Sequence, residues 1–145
     1  MKKTPITCTR RIEFDAAHRV MLHESKCKYL HGHRYALEAT FAGDGLDTLG
    51  RVIDFAVLKE RLGNWILSNW DHATILSHED KPLGEAISQK TGQTIFYLPA
   101  NPTAENMAAY LLNTACPDLF KDMQVACTRI RLYETPSCYV ETGTP

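Results

Sequence analysis

The tripeptide His31-Gly32-His33 constrains this chain more than any other feature, because it opens a run that alternates like a half-buried strand. From about His31 to Ala42, Tyr35, Leu37, Ala39 and Phe41 share one parity, the pattern of a sheet with one face against a core. Residues two apart on a strand project from the same face, so both imidazoles can reach one metal ion at about 2.0–2.1 Å, and Gly32 leaves the backbone room to approach. An earlier run, about Ile6 to His18, mixes Thr, Ile and Phe with charges and reads as a second strand. If the two pair antiparallel across residues 19–30, His18 lies opposite His31 and His33. Three histidines on one sheet face without a fourth protein ligand is the pattern of a catalytic zinc, whose open position takes water or substrate. Surface histidines are the plainer alternative.

The remaining pattern predicts an α+β domain spanning 1–145. Asp54 is placed to cap a helix in which Phe55, Leu58, Leu62, Trp65 and Ile66 recur at helical spacing to about Asn69. The stretch from Ser77 to Thr94 is polar and carries Pro82, Gly84 and Gly92. It reads as part of a long surface loop over about 77–98, with at most one helical turn around Leu83 to Ser88. Thr103 can cap a second helix with Met107, Ala108, Leu111 and Ala115 on one face until Cys116-Pro117 stops it. A last long strand, about Gln124 to Glu134, places Ala126, Thr128, Ile130, Leu132 and Glu134 on one parity, and a short strand from Cys138 to Glu141 follows Pro136.

Sixteen Lys and Arg against seventeen Asp and Glu leave a net charge of −1, so no global field attracts nucleic acid or an anionic membrane. No apolar run approaches the roughly 20 residues of a membrane span. The five Cys are odd in number and irregularly spaced, and Met1 to Pro5 lead into the first strand without a secretory signal, so a reducing cytoplasm is expected. Cys8, Cys116, Cys127 and Cys138 fall in strand or helix patterns and are read as core. Cys27, between the candidate ligands and flanked by Lys26 and Lys28, is either a thiolate held beside the metal or a loop thiol without a role. In Asp71-His72 the carboxylate can fix the imidazole tautomer, although a histidine at a helix end also suits the dipole. Glu134, continuing an apolar face, needs a partner with paired donors unless it already reaches solvent. Thr103 and Glu105 are most simply a helix cap and first-turn charge, in a geometry that also puts polar groups near a ligand.

Together, Phe14-Asp15-Ala16-Ala17-His18-Arg19, Cys27-x3-His31-Gly32-His33, Val52-Ile53-Asp54-Phe55, Asp71-His72, Pro102-Thr103-Ala104-Glu105-Asn106 and Tyr133-Glu134-Thr135 resemble, in order and spacing, the 6-pyruvoyl-tetrahydropterin synthase superfamily. The resemblance covers about residues 8 to 142. The three-residue spacing between Cys27 and His31 looks like the bacterial 6-carboxytetrahydropterin synthases of queuosine biosynthesis, since the animal pyruvoyl-forming enzymes have a longer one. It implies a tunnelling fold: ββααββ subunits whose antiparallel sheets join into a barrel, as a homohexamer of two trimers with active sites at subunit interfaces. The implied reaction takes 7,8-dihydroneopterin triphosphate to 6-carboxy-5,6,7,8-tetrahydropterin, acetaldehyde and triphosphate. By the same resemblance, His18, His31 and His33 hold zinc, Cys27 is the general base, Asp71 with His72 a proton relay, and Glu134 the pterin anchor, with Thr103 and Glu105 at the substrate. Arg19, Lys26 and Lys28 are candidates for the triphosphate. The stretch between Asp71-His72 and Pro102 is longer than in compact members, so Ser77 to Leu98 is expected to edge the pocket or an oligomer interface. A pyruvoyl-forming lyase and a non-catalytic zinc- or pterin-binding member are the alternatives.

Overall fold

In the computed structural model, which describes residues 5–144, β1 (Cys8–His18) and β2 (His31–Gly43) form the antiparallel pair that the alternation predicts. Residues 1–4 and 145, which the expected 1–145 domain and the reading of the amino terminus include, lie outside the described residues. The register sets His18 opposite His31 and Ala16 opposite His33. Phe14, Ala16 and His18 are buried on one parity of β1, and Tyr35, Leu37, Ala39 and Phe41 on one parity of β2, where Ala36 and Thr40 of the other parity are buried too. His31 and His33 lie on the parity of Tyr35, so the metal-ligand candidates extend the apolar face at its open end.

Four further strands complete a six-stranded sheet: β3 (Ala73–Ser77), β4 (Ile95–Leu98), β5 (Val125–Thr135) and β6 (Cys138–Gly143), in the order β4-β3-β1-β2-β5-β6. The sheet is mixed rather than antiparallel throughout, because β3 runs parallel to both β1 and β4. Helix α1 spans 55–69, starts where the Asp54 side chain accepts the Ala56 N–H at 2.9 Å, and loosens through a π segment at Lys59–Gly63. The third helix, over 104–119, starts as expected at Thr103, whose hydroxyl accepts the Asn106 N–H. It does not end at Cys116-Pro117. A π segment at Leu111–Ala115 shifts the hydrogen-bond ladder, and Pro117 then falls in the first turn of the closing segment Cys116–Leu119, where a missing N–H costs little.

The stretch expected as a loop over 77–98 is instead a helix, α2 (Lys81–Thr91), followed by β4. The residues read as breakers mark its ends. Pro82 sits in the first turn, where its lack of an N–H is harmless, and Gly92, at φ 73°, takes the left-handed conformation that closes the helix. Gly84 is buried against the Tyr97 ring, where an added Cβ would clash with the phenol. The 104–119 helix is α3 in this numbering. It packs with α1 on one face of the sheet, where Leu58, Leu62, Ile66, Trp70, Met107 and Leu111 meet Phe14, Tyr35, Leu37, Ile130 and Leu132. Phe14 and Tyr35 stack with centroids 5.0 Å apart. The opposite face carries cross-strand ion pairs, among them Arg11 with Glu38 and Arg131 with Glu141. Of the cysteines read as core, Cys116 is buried and Cys8 and Cys127 pack against the core, whereas Cys138 is exposed at the start of the edge strand. Among the described residues no helix is long and apolar enough to cross a membrane.

Candidate metal centre

The β1–β2 register converges three imidazoles. The rings of His18, His31 and His33 form a near-equilateral triangle, with centroids 4.7, 5.2 and 4.9 Å apart. Gly32 between two of them keeps the strands close: a Cβ there would meet the Ala16 carbonyl oxygen at 3.3 Å, a tight contact. Backbone carbonyls set the tautomers. His18 Nδ1–H donates to Pro102 O at 2.7 Å, and His31 Nδ1–H donates to Tyr29 O at 2.7 Å. In these tautomers both Nε2 atoms carry lone pairs, yet they stand 3.2 Å apart. Nε2 atoms at that distance share either a proton or a cation, and a backbone carbonyl on Nδ1 is the usual support of a metal-binding histidine.

The third ring agrees. His33 Nε2 is buried and makes no well-directed hydrogen bond, although Glu134 Oε1 lies 2.9 Å away. The same Oε1 is 3.8 Å from His18 Nε2. Ligand atoms of His18, His31, His33 and Glu134 all fall within 4.8 Å of one another. Burial pushes the His18 imidazole below its ordinary value, against the opposing pulls of the Pro102 carbonyl and Glu134, and burial lowers His33 likewise. Both rings are therefore neutral near pH 7, the form that donates to a metal. Burial pushes the Tyr35 phenol up, with Glu134 adding to it, so the hydroxyl 3.2 Å from His18 Nδ1 stays protonated. The donor set fits a divalent cation that accepts nitrogen ligands and leaves a coordination position open.

Cys27 sits in a short helical turn, Lys26–Lys28, and lines a hollow of about 460 Å³ with Lys26, Tyr29 and His31. The thiol thus shares a space with one ligand candidate. Lys26 and Lys28 flank it, with the Lys28 ammonium over the Tyr29 ring. The Arg19 guanidinium is engaged by the buried Asp80 carboxylate through Nε and Nη2.

Asp71 and His72 are brought together, but not with the three histidines. Asp71 Oδ2 lies 3.0 Å from His72 Nδ1, which fixes that ring nitrogen as the donor. Asp71 Oδ1 accepts the Asp15 N–H at 3.0 Å, and the His72 N–H donates to Asp15 O at 2.6 Å. Burial works against the Asp71 carboxylate, but the Asp15 amide, His72 and Arg34 outweigh it and hold the group below the usual range. His72 takes φ 59°, uncommon for a residue with a Cβ, and its side chain is 78% exposed. Asp15 belongs to the parity of β1 opposite His18, so Asp71, His72 and Asp15 form a second cluster. Thr103 caps α3, and Glu105 is exposed in its first turn. The residues that sequence reasoning missed are the supports: the carbonyls of Tyr29 and Pro102, and the Asn101 side chain, which bonds both N and O of Met21 at 3.2 Å.

The profile of 6-pyruvoyl tetrahydropterin synthase matches residues 7–144. The chain belongs to that family. A curated relative from Rickettsia bellii, named 6-carboxy-5,6,7,8-tetrahydropterin synthase, is 51% identical over 136 residues, 94% of this chain and 99% of the relative. Among solved structures, an uncharacterized protein from Wolinella succinogenes superposes with a TM-score of 0.81 at 18% identity, covering 99% of this chain and 100% of that one. The 6-pyruvoyl tetrahydropterin synthase of Caenorhabditis elegans gives 0.69 at 22%, covering 100% and 99%. These two likenesses establish the fold.

Proposed function

We propose that the chain is a zinc-dependent 6-carboxy-5,6,7,8-tetrahydropterin synthase, a lyase that converts 7,8-dihydroneopterin triphosphate to 6-carboxy-5,6,7,8-tetrahydropterin, acetaldehyde and triphosphate in queuosine biosynthesis. The observation that carries this reading is the 51% identity over nearly the full length of a relative with that name. Four Rickettsia relatives of the same name stand at 50–51%. The converging imidazoles supply the chemistry the name requires.

His18, His31 and His33 would hold zinc, which when bound supplies Lewis acidity to side-chain oxygens of the substrate. Cys27, in the hollow it shares with His31, takes a carbon-bound proton as general base. Glu134 offers its carboxylate to paired N–H donors of the pterin ring, which sets the reacting carbons beside the thiol. Asp71 holds His72 in one tautomer, so the exposed ring is prepared to pass protons at Nε2. Because His72 and the metal cluster occupy different parts of one subunit, the relay serves a site completed between subunits.

The assembly we propose is a homohexamer of two trimers. The backbone edge of β1 before Ala16 and the outer edge of β6 are free of sheet partners among the described residues, which supports joining of sheets between copies. All five cysteines are free thiols, as suits a cytoplasmic enzyme. The test is incubation of zinc-loaded protein with 7,8-dihydroneopterin triphosphate. Acetaldehyde release with the carboxy product mass supports the reading. Triphosphate loss with the side chain retained makes the protein a pyruvoyl-forming enzyme, and an untouched substrate makes it a non-catalytic member.

A further inference from the structure

We propose that Asp80 is a positioning residue for the metal centre, holding the His18 end of β1 in place through Arg19. The proposal rests on reading His18, His31 and His33 as metal ligands.

The two ligands on β2 are two residues apart on one strand, so their mutual geometry follows from the backbone. His18 is different. It is the last residue of β1, and its distance to the other rings depends on how that strand end is held. β2 pairs with it at His31 and β3 at Ile75, its own Nδ1 is tied to Pro102 O, and Asn101 brackets Met21. A further contact is charged: Arg19 Nε and Nη2 donate to Asp80 Oδ2 and Oδ1 at 2.5 and 2.6 Å.

A two-point fork fixes the orientation of the guanidinium as well as its distance, and Arg19 directly follows His18. Asp80 is only 4% exposed, in the turn that leads into α2, so its carboxylate cannot wander. It is also at the amino end of an 11-residue helix, where negative charge is favoured. The segment between β3 and β4 therefore does more than extend the sheet. It presents an anchored anion to the residue beside a ligand, and metal sites tolerate ligand displacements of only about 0.2 Å.

The test compares the whole protein with Asp80→Asn and Arg19→Lys, the second keeping a cation but losing the fork. Zinc affinity is measured by chelator competition, and ligand geometry by the visible bands of the cobalt(II)-loaded protein. Both variants are expected to bind zinc about tenfold more weakly, at the low end of the range for residues that support ligands. Their cobalt bands are expected to shift in position or intensity at full loading. Wild-type affinity and wild-type cobalt bands in the variants, even with a lowered melting temperature, would overturn the proposal, because a scaffold role moves only stability. If Asp80→Asn does not fold, Arg19→Lys decides by the same two readouts. Wild-type protein that binds neither zinc nor cobalt overturns the metal-centre reading itself, a failure seen before any variant is made.

Discussion

Replacing Glu134 by Gln separates the two jobs its carboxylate can do. Oε1 stands 2.9 Å from His33 Nε2 and 3.8 Å from His18 Nε2, so the group is close enough to ligate and exposed enough, at 28%, to meet a substrate. As a pterin anchor it accepts two N–H bonds, each worth about 1.5–3 kcal/mol when the acceptor is charged. Gln keeps one acceptor and turns an NH2 toward a ring N–H, so one bond is lost and two donors face each other. A loss of about 3 kcal/mol is a fall of roughly a hundredfold in kcat/KM, at about 1.4 kcal/mol per decade. Zinc affinity, with three imidazoles in place, is expected to fall by about tenfold or less. Steady-state acetaldehyde release and chelator competition on the same preparation read both quantities. A collapse of zinc affinity by several decades with KM unchanged would refute the anchor role and make Glu134 a fourth ligand. Unchanged values of both would remove it from the site.

Cys27→Ala is expected to keep zinc and the oligomeric state and to lose about 10²–10⁴ in turnover, the usual worth of a general base, and unaltered turnover contradicts the assignment. His31→Ala should instead fail to retain stoichiometric zinc by metal analysis, since it removes a ring whose Nε2 is 3.2 Å from that of His18. Asp71→Asn is expected to lower turnover by tenfold or more at full zinc content, because its cluster is separate from the histidines, and a drop in bound zinc would show the two clusters to be coupled. The zinc-free protein should lose stability on acidification. Burial lowers His18 and His33 in the folded state, so the unfolded chain binds more protons below its ordinary histidine value of about 6.5, and stability falls as pH drops through the folded values. A melting temperature that holds constant from pH 7.5 to 5 would count against that burial.

The strands and helices that proved legible were those in which period and cap agreed. In β2 the alternation and the His-Gly-His spacing pointed to the same face, and in α1 and α3 the caps Asp54 and Thr103 stood just before helical spacing, so local and tertiary preferences coincided. The 73–98 segment failed because its signals depend on position within an element. Pro82 and Gly92 break a helix from inside but begin and end one from its edges, and Gly84 is tolerated because Tyr97 fills the space where a side chain would stand. β3 was missed for a related reason. All five of its residues are buried, so it has no polar face to alternate with and carries no period-two signal.

The site was legible as far as side-chain identity reaches. Histidines, the thiol and the carboxylates announce their chemistry, and strand parity was enough to bring His18 to His31 and His33. What fixes those groups is written elsewhere. Two of the three imidazoles are oriented by carbonyl oxygens, of Tyr29 and Pro102, and a carbonyl belongs to every residue, so no residue type betrays the one that matters. Asp80 does have a distinctive side chain, but its role requires knowing that residues 78–80 turn under the end of β1, which depends on the parallel pairing of β3 at His18. The same limit applies to Asp71 and His72. Adjacency in sequence left their hydrogen bond open, while the parity of Asp15, across the sheet from His18, decides that they stand apart from the three histidines of their own chain. On the function proposed above, a proton relay set apart from the three histidines of its own chain serves a site that another copy helps to build, so the proposed oligomer becomes part of the catalytic argument.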